Sequence, residues 1–101
     1  MNLGISALNY VNAIKNNEFT VEEFIFESLE HINHVDEKLH AFLRINDSAI
    51  KNAKEIDAKI KPNQNVGRCY GMPISIKDNI CIEGSKTTCA SKVLENFVSP
   101  Y

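Results

Sequence analysis

Two short apolar runs in the last third of the chain, MPISI at residues 72–76 and ICI at residues 80–82, constrain the fold more than any other feature. Each reads as a strand, rich in isoleucine and bounded by turn formers. Strands that are apolar on both faces need neighbours on both sides, as in a sheet covered by helices. Few neighbours are available. HAFLRI at residues 40–45 is an earlier strand candidate, and TTC at 87–89 resumes an extended run after the turn EGSK. The expectation is an α/β fold in which N-terminal helices precede the first strands of a mixed sheet, incomplete, as in part of a longer protein.

Three amphipathic helices come before those strands. Residues 6–16 put Leu8, Val11 and Ile14 on one stripe. Thr20 is placed to cap the second helix, with Glu23 completing a capping box and Phe19 and Phe24 forming a hydrophobic staple. Phe24, Ile25, Leu29, Ile32 and Val35 continue the 3.6-residue period to about residue 36. Phe26 falls off that stripe and offers a second packing surface. Asn46 or Asp47 caps a third helix, which carries Ile50, Ala53, Ile56 or Asp57, and Ile60 on successive turns and stops at Pro62. Ser91 is placed to cap a last short helix, KVLENF. The organisation read from this is one domain: 1–61 mainly helical, 62–71 a connector, and 72–101 strands with a short helix.

Composition bounds the function. The 101 residues are 44% hydrophobic and 24% charged, which excludes disorder, and the net charge of -2 gives no bulk attraction for nucleic acid. No apolar run approaches the ~18–20 residues of a membrane helix. The N-terminus lacks the basic and apolar regions of a signal peptide. Cys69, Cys81 and Cys89, an odd number without C-x2-C spacing, read as reduced thiols, so a cytoplasmic location is expected. His31 and His34 share a helix face, with His40 near in sequence, but the cysteine spacing does not resemble a zinc site.

Lys77 ends the first apolar run and Asp78 and Asn79 follow it. On a regular strand, Met72, Ile74 and Ile76 share one face, and Pro73, Ser75 and Lys77 the other. A lysine in a dry site loses its ammonium form and becomes a base able to activate a serine. A strand-end lysine with its stem on apolar surface and its head in water accounts for the same residues, and locally is the simpler reading. Ser75 is a poor direct partner, because residues i and i+2 of a strand lie about 6.5–7 Å apart with parallel stems. Cys89 has no histidine partner nearby.

The whole segment from 71 to 101, GMPISIKDNICIEGSKTTCASKVLENFVSPY, resembles the lysine segment of the amidase signature family. More narrowly, it is similar to the branch of glutamine-hydrolysing A subunits that serve tRNA-dependent amidotransferases. The positions Gly71, Pro73, Lys77, Asp78, Asn79, Gly84, Thr87, Thr88, Cys89, Ala90, Ser91, Leu94, Phe97, Pro100 and Tyr101 fill that pattern. The helical part, EFTVEEFIFESLEHINHVDEKLHAFLRI and AIKNAKEIDAKI, is similar in a looser way.

The resemblance implies amide hydrolysis by a Ser–cis-Ser–Lys triad, with Lys77 as the catalytic base. It places both serines in a Gly/Ser-rich segment that these residues do not include, so this chain by itself is expected to be inactive. Asp78, Asn79 and Ser91 are the candidates for holding the lysine through hydrogen bonds. The resemblance further implies glutamine as substrate and ammonia transfer within a heterotrimer containing B and C subunits. ATP and Mg are used by the partner subunit to amidate mischarged tRNA, and this chain is expected to bind no cofactor or metal of its own. Two alternatives remain: another amidase-signature amide hydrolase, or a non-catalytic helical interaction fragment.

Overall fold

A computed structural model describes residues 1–101. It contains three α-helices, α1 (Ala7–Lys15), α2 (Val21–Leu39) and α3 (Ala49–Ile60), followed by a single 3-10 turn at Lys92–Leu94. The first N–H groups of a helix have no partner inside it. In α2 these groups are satisfied from two directions. Glu23 Oε2 accepts the Thr20 N–H at 2.8 Å, and Thr20 Oγ1 accepts the Glu23 N–H at 3.1 Å, the expected capping box. Between them, the Asp57 carboxylate of α3 accepts the N–H groups of Val21 and Glu22, each at 2.9 Å. A carboxylate here also meets the positive end of the helix dipole. The same contact fixes α3 against α2.

The core sits where the three helices meet. Tyr10, Ile14, Val21, Phe24, Ile25 and Ala53 are buried together, with Val21 wholly out of solvent. The Phe19 and Phe24 rings lie 5.4 Å apart as the staple requires, and Tyr10 meets Phe24 edge-on at 4.8 Å. The connector then returns to this core. Tyr10 Oη donates to the Tyr70 carbonyl at 3.1 Å. Gly71, at φ +73°, passes so close that a Cβ would come within 2.8 Å of Val21 Cγ1 and 2.9 Å of Ile56 Cδ1. Only glycine suits both the positive φ and the approach.

Some expected boundaries shift. α2 runs three residues past 36 and closes with His40 in the left-handed region, φ 50°. The strand expected at 40–45 is absent, because its backbone is otherwise engaged. Asp36 Oδ1 accepts the Ala41 N–H at 2.7 Å, and both Asp36 oxygens accept the Phe42 N–H at 3.3 Å. α3 starts later than expected from a cap at Asn46 or Asp47: its N-cap residue is Ser48, which makes no side-chain cap bond, and Asn46 Oδ1 accepts the Ser48 N–H at 3.0 Å.

The larger correction concerns the sheet. Neither 72–76 nor 80–82 forms a strand, and the one β-type pairing is an isolated antiparallel bridge between Lys86 and Val98. The architecture within these residues is therefore helical with irregular segments, not α/β. A helix satisfies its backbone internally, whereas a strand needs a second strand beside it. None lies beside residues 74–79, whose N–H groups have no partner in the chain. The isoleucines stay in solvent, Ile74 at 68% exposure. The KVLENF helix is likewise reduced to the 3-10 turn, and Ser91 makes no side-chain cap.

The dimensions agree with a partly packed chain. The radius of gyration is 15.2 Å, against ~13 Å for a compact domain of this length. The accessible surface is 7701 Å², roughly a third more than the ~5,800 Å² expected of a folded monomer of this mass.

Candidate functional site

Between the α2–α3 face and the run from 71 to 82 lies an open, mainly apolar trough of about 1080 Å³. Ile25, Leu29, Ile32 and Ile56 line one wall, and Ile74, Ile76, Ile80 and Ile82 line the other, with Lys77 and Asp78 among them. Pro73, Ile74, Ser75, Ile76 and Lys77 are all exposed, and all five border the trough. The alternation of an apolar and a polar face is therefore not present, since no ladder imposes it.

Lys77 is exposed, and its ammonium group has no hydrogen-bond or ion-pair partner in the chain. Its carbonyl accepts the Ile80 N–H at 3.0 Å, turning the backbone back immediately after the lysine. Asp78 is far more engaged. One carboxylate oxygen accepts from Arg44 Nη2, and the other accepts from the Thr88 hydroxyl and, at 3.3 Å, from the Thr88 N–H. Its carbonyl accepts the Cys89 N–H at 3.0 Å. Arg44 also donates to the Lys86 carbonyl at 2.9 Å. The Arg44 guanidinium, and after it the Thr88 hydroxyl, hold the Asp78 carboxyl below the usual carboxylate range, against the opposing effect of burial.

The segment that meets Asp78 is itself closed into a loop. Gly84 N–H donates to the Ser99 carbonyl at 2.8 Å, Ser99 N–H to the Ser85 carbonyl at 2.9 Å, and Thr87 N–H to the Phe97 carbonyl at 3.2 Å. Within it, Cys89 and Ala90 both adopt positive φ, 51° and 56°, and the Ser91 N–H donates to the Thr88 carbonyl at 2.8 Å. Two consecutive left-handed residues that are not glycine cost about 1–2 kcal/mol each, so the surrounding bonds must hold this turn in place.

Of the sequence candidates, Lys77 and Asp78 share the trough, and Asp78 is the hub of its polar contacts. Asn79 is exposed and its side chain bonds to nothing in the chain; Ser91 is half-buried and contributes only its backbone. Ser75 is an exposed trough residue. One group escaped the sequence reading: Arg44, whose one visible signal was a lone cation in the apolar run HAFLRI. Thr87, a position of the family pattern, has its hydroxyl buried without a partner. The three histidines are exposed, and no three His, Cys, Asp or Glu side chains gather as a metal site would require.

Comparison with known proteins adds a family. The family described as Amidase matches residues 23–101. The A subunit of glutamyl-tRNA(Gln) amidotransferase from Cenarchaeum symbiosum (strain A) is 43% identical over 96 residues, covering 95% of this chain and 20% of that protein. The protein of the same name from Trichormus variabilis is 46% identical over 85 residues, 83% of this chain and 18% of that protein. The one from Clostridium botulinum (strain Okra) is 45% identical over 98 residues, 96% and 20% respectively. The chain thus spans about a fifth of the length of the curated relatives it matches.

Proposed function

The chain belongs to the amidase family, and from that membership we propose that it is the N-terminal portion of the glutamine-hydrolysing A subunit of a tRNA-dependent amidotransferase. Lys77 is the base of its Ser–cis-Ser–Lys triad in this reading. The observation that carries it is the state of the lysine. It stands free on an apolar trough, and the carboxylate next to it in sequence is already matched by Arg44 and Thr88. An unmatched carboxylate would favour the ammonium form; a matched one does so far less. Once further chain closes the trough, burial disfavours the ammonium and leaves a neutral amine that accepts a proton.

The chemistry then follows. Lys77 takes a proton from the relay serine, which takes one from the nucleophilic serine as that oxygen attacks the carboxamide carbon of glutamine. The C–N bond breaks, the departing nitrogen regains the proton as ammonia, and water releases glutamate from the acyl-enzyme. Both serines belong to a Gly/Ser-rich stretch outside these residues, so the 101-residue chain alone is expected to hydrolyse nothing. The runs 72–76 and 80–82 become strands of a mixed sheet in the full-length protein. Their exposed isoleucines and unpaired N–H groups support this. Ammonia passes within a heterotrimer with B and C subunits to the partner subunit that uses ATP and Mg to amidate Glu-tRNA(Gln) or Asp-tRNA(Asn) in the cytoplasm. No helix of the chain is long and apolar enough to cross a membrane.

The test is Lys77→Ala in the full-length, assembled enzyme, with ammonia release from glutamine as readout. Turnover is expected to fall roughly 10³-fold or more while assembly with the partners is unchanged. Turnover at the unsubstituted level would remove Lys77 from the mechanism.

A further inference from the structure

We infer that Arg44 is a positioning residue for Lys77, acting through Asp78 both to fix the backbone at the lysine and to keep the neighbouring carboxylate from holding the lysine protonated. The inference rests on the reading of Lys77 as the base. Its geometry stands on three connections. Arg44, in the stretch that follows α2, reaches across to the Asp78 carboxylate and to the Lys86 carbonyl with the same nitrogen. Asp78 in turn binds Thr88 by carboxylate and Cys89 by carbonyl. Residues 42–45, 77–80 and 86–89 are thereby tied at one point, next to the only lysine the triad pattern selects. The N–H groups on the approach to that point, from 74 onward, have no partner in the chain, so within these residues the lysine end is held at Asp78, and Arg44 shares that hold with Thr88 and Cys89.

The charge arrangement gives Arg44 a second effect. The charged side chains that border the trough with Lys77 are Arg44, Asp47, Asp78 and Lys86. Asp47 has no ion-pair partner, and Lys86 is a cation that opposes protonation of Lys77. Asp78 is the carboxylate adjacent to Lys77 in sequence, and Arg44 is the cation that matches it. Removing the guanidinium leaves one uncompensated negative charge beside the base, which raises the lysine pKa. A purely structural Arg44 would lower activity without moving the pH at which the base titrates.

The experiment measures glutamine hydrolysis against pH in the full-length, assembled enzyme. For Arg44→Gln, the acid limb of kcat/KM is expected to move to higher pH by about half to one unit, as one added negative charge on the same open trough does. At neutral pH kcat falls about tenfold and KM stays within about twofold, because the lysine rather than glutamine binding is affected. Adding Asp78→Asn to Arg44→Gln removes the unmatched charge and brings the limb back. Arg44→Lys keeps the cation but shortens its reach to Asp78 and the Lys86 carbonyl, so the limb stays in place while kcat drops a few-fold. A folded Arg44→Gln enzyme with an unmoved limb overturns the inference. Should Arg44→Gln not assemble, Arg44→Lys decides: a wild-type limb with reduced kcat supports the inference, and a shifted limb or an unreduced kcat overturns it. Lys77→Ala, run alongside, separates the two readings. Turnover that survives it removes the base and this inference together. An inactive Lys77→Ala with an unmoved limb in Arg44→Gln removes only the role of Arg44.

Discussion

Val21, Phe24 and Ile25 lie in the core, while Ile74, Ile76, Ile80 and Ile82 remain in solvent. The two sets are of comparable apolarity and come from the same chain. What separates them is how each segment satisfies its backbone. α2 closes its own hydrogen bonds, and Thr20, Glu23 and Asp57 supply what its first turn lacks. It then needs only a packing partner, and α1 and α3 are its neighbours in sequence, ending at Lys15 and starting at Ala49. The segment from 72 to 82 closes almost nothing by itself. Its apolar side chains line a trough whose opposite wall is the helical core, but no strand lies alongside to lock it there. The helices build a core among themselves, though Leu8 and Phe26 stay exposed; the lysine segment is a half-built site. The one strong tie across this boundary beyond Gly71 is Arg44 to Asp78.

The contrast can be broken by cutting equivalent apolar groups from each side. Phe24→Ala empties a buried aromatic site and is expected to cost about 3–5 kcal/mol in urea unfolding of this chain. Ile80→Ala removes a side chain that is 55% exposed and is expected to change stability by less than about 0.5 kcal/mol. A comparable loss at Ile80 would mean that the second region is packed after all.

A smaller effect sharpens the comparison through pH. Tyr10 is 1% exposed, and its phenol is pushed up to about 12, first by burial and then by the charge of Asp57. The folded state therefore holds its proton more tightly than the unfolded chain, where the value is 10.0. This contribution to stability is complete below pH 10 and is lost as pH rises toward 12, a drop of about 2–3 kcal/mol. Tyr10→Phe is expected to abolish that alkaline loss, while giving up the bond to Tyr70, worth about 0.5–1.5 kcal/mol. An alkaline loss that persists in Tyr10→Phe would place its source elsewhere.

Legibility followed the same boundary. The helical half was readable because its signals are local: Thr20 with Glu23, Phe19 with Phe24, and the stripe from Phe24 to Val35 all lie within a few turns of one another. Asp57 was not readable as the partner of α2, since the contact spans about 35 residues and Asp57 occupies an ambiguous place on its own stripe. The runs at 72–76 and 80–82 carry strand propensity, but propensity does not supply a neighbour, so the sheet did not follow. HAFLRI failed for a related reason: Asp36 takes the donors that a strand there would have used. At the site, the motif identified Lys77, Asp78, Asn79 and Ser91 as a set, whereas only geometry distinguishes the hub, Asp78, from Asn79, which touches nothing. Arg44 lies 34 residues before Asp78, and no spacing rule connects them.

Hydrogen exchange, read residue by residue on this chain and on the full-length protein, tests the division most directly. In the 101-residue chain, amides of α2 and α3 around Phe24, Ile25 and Ala53 are expected to exchange slowly, and those of 74–79 at the rates of an unprotected backbone. In the full-length protein the same 74–79 amides are expected to become as protected as α2. Protection of 74–79 equal to that of α2 in the short chain, or no gain of protection in the full-length protein, would contradict the account.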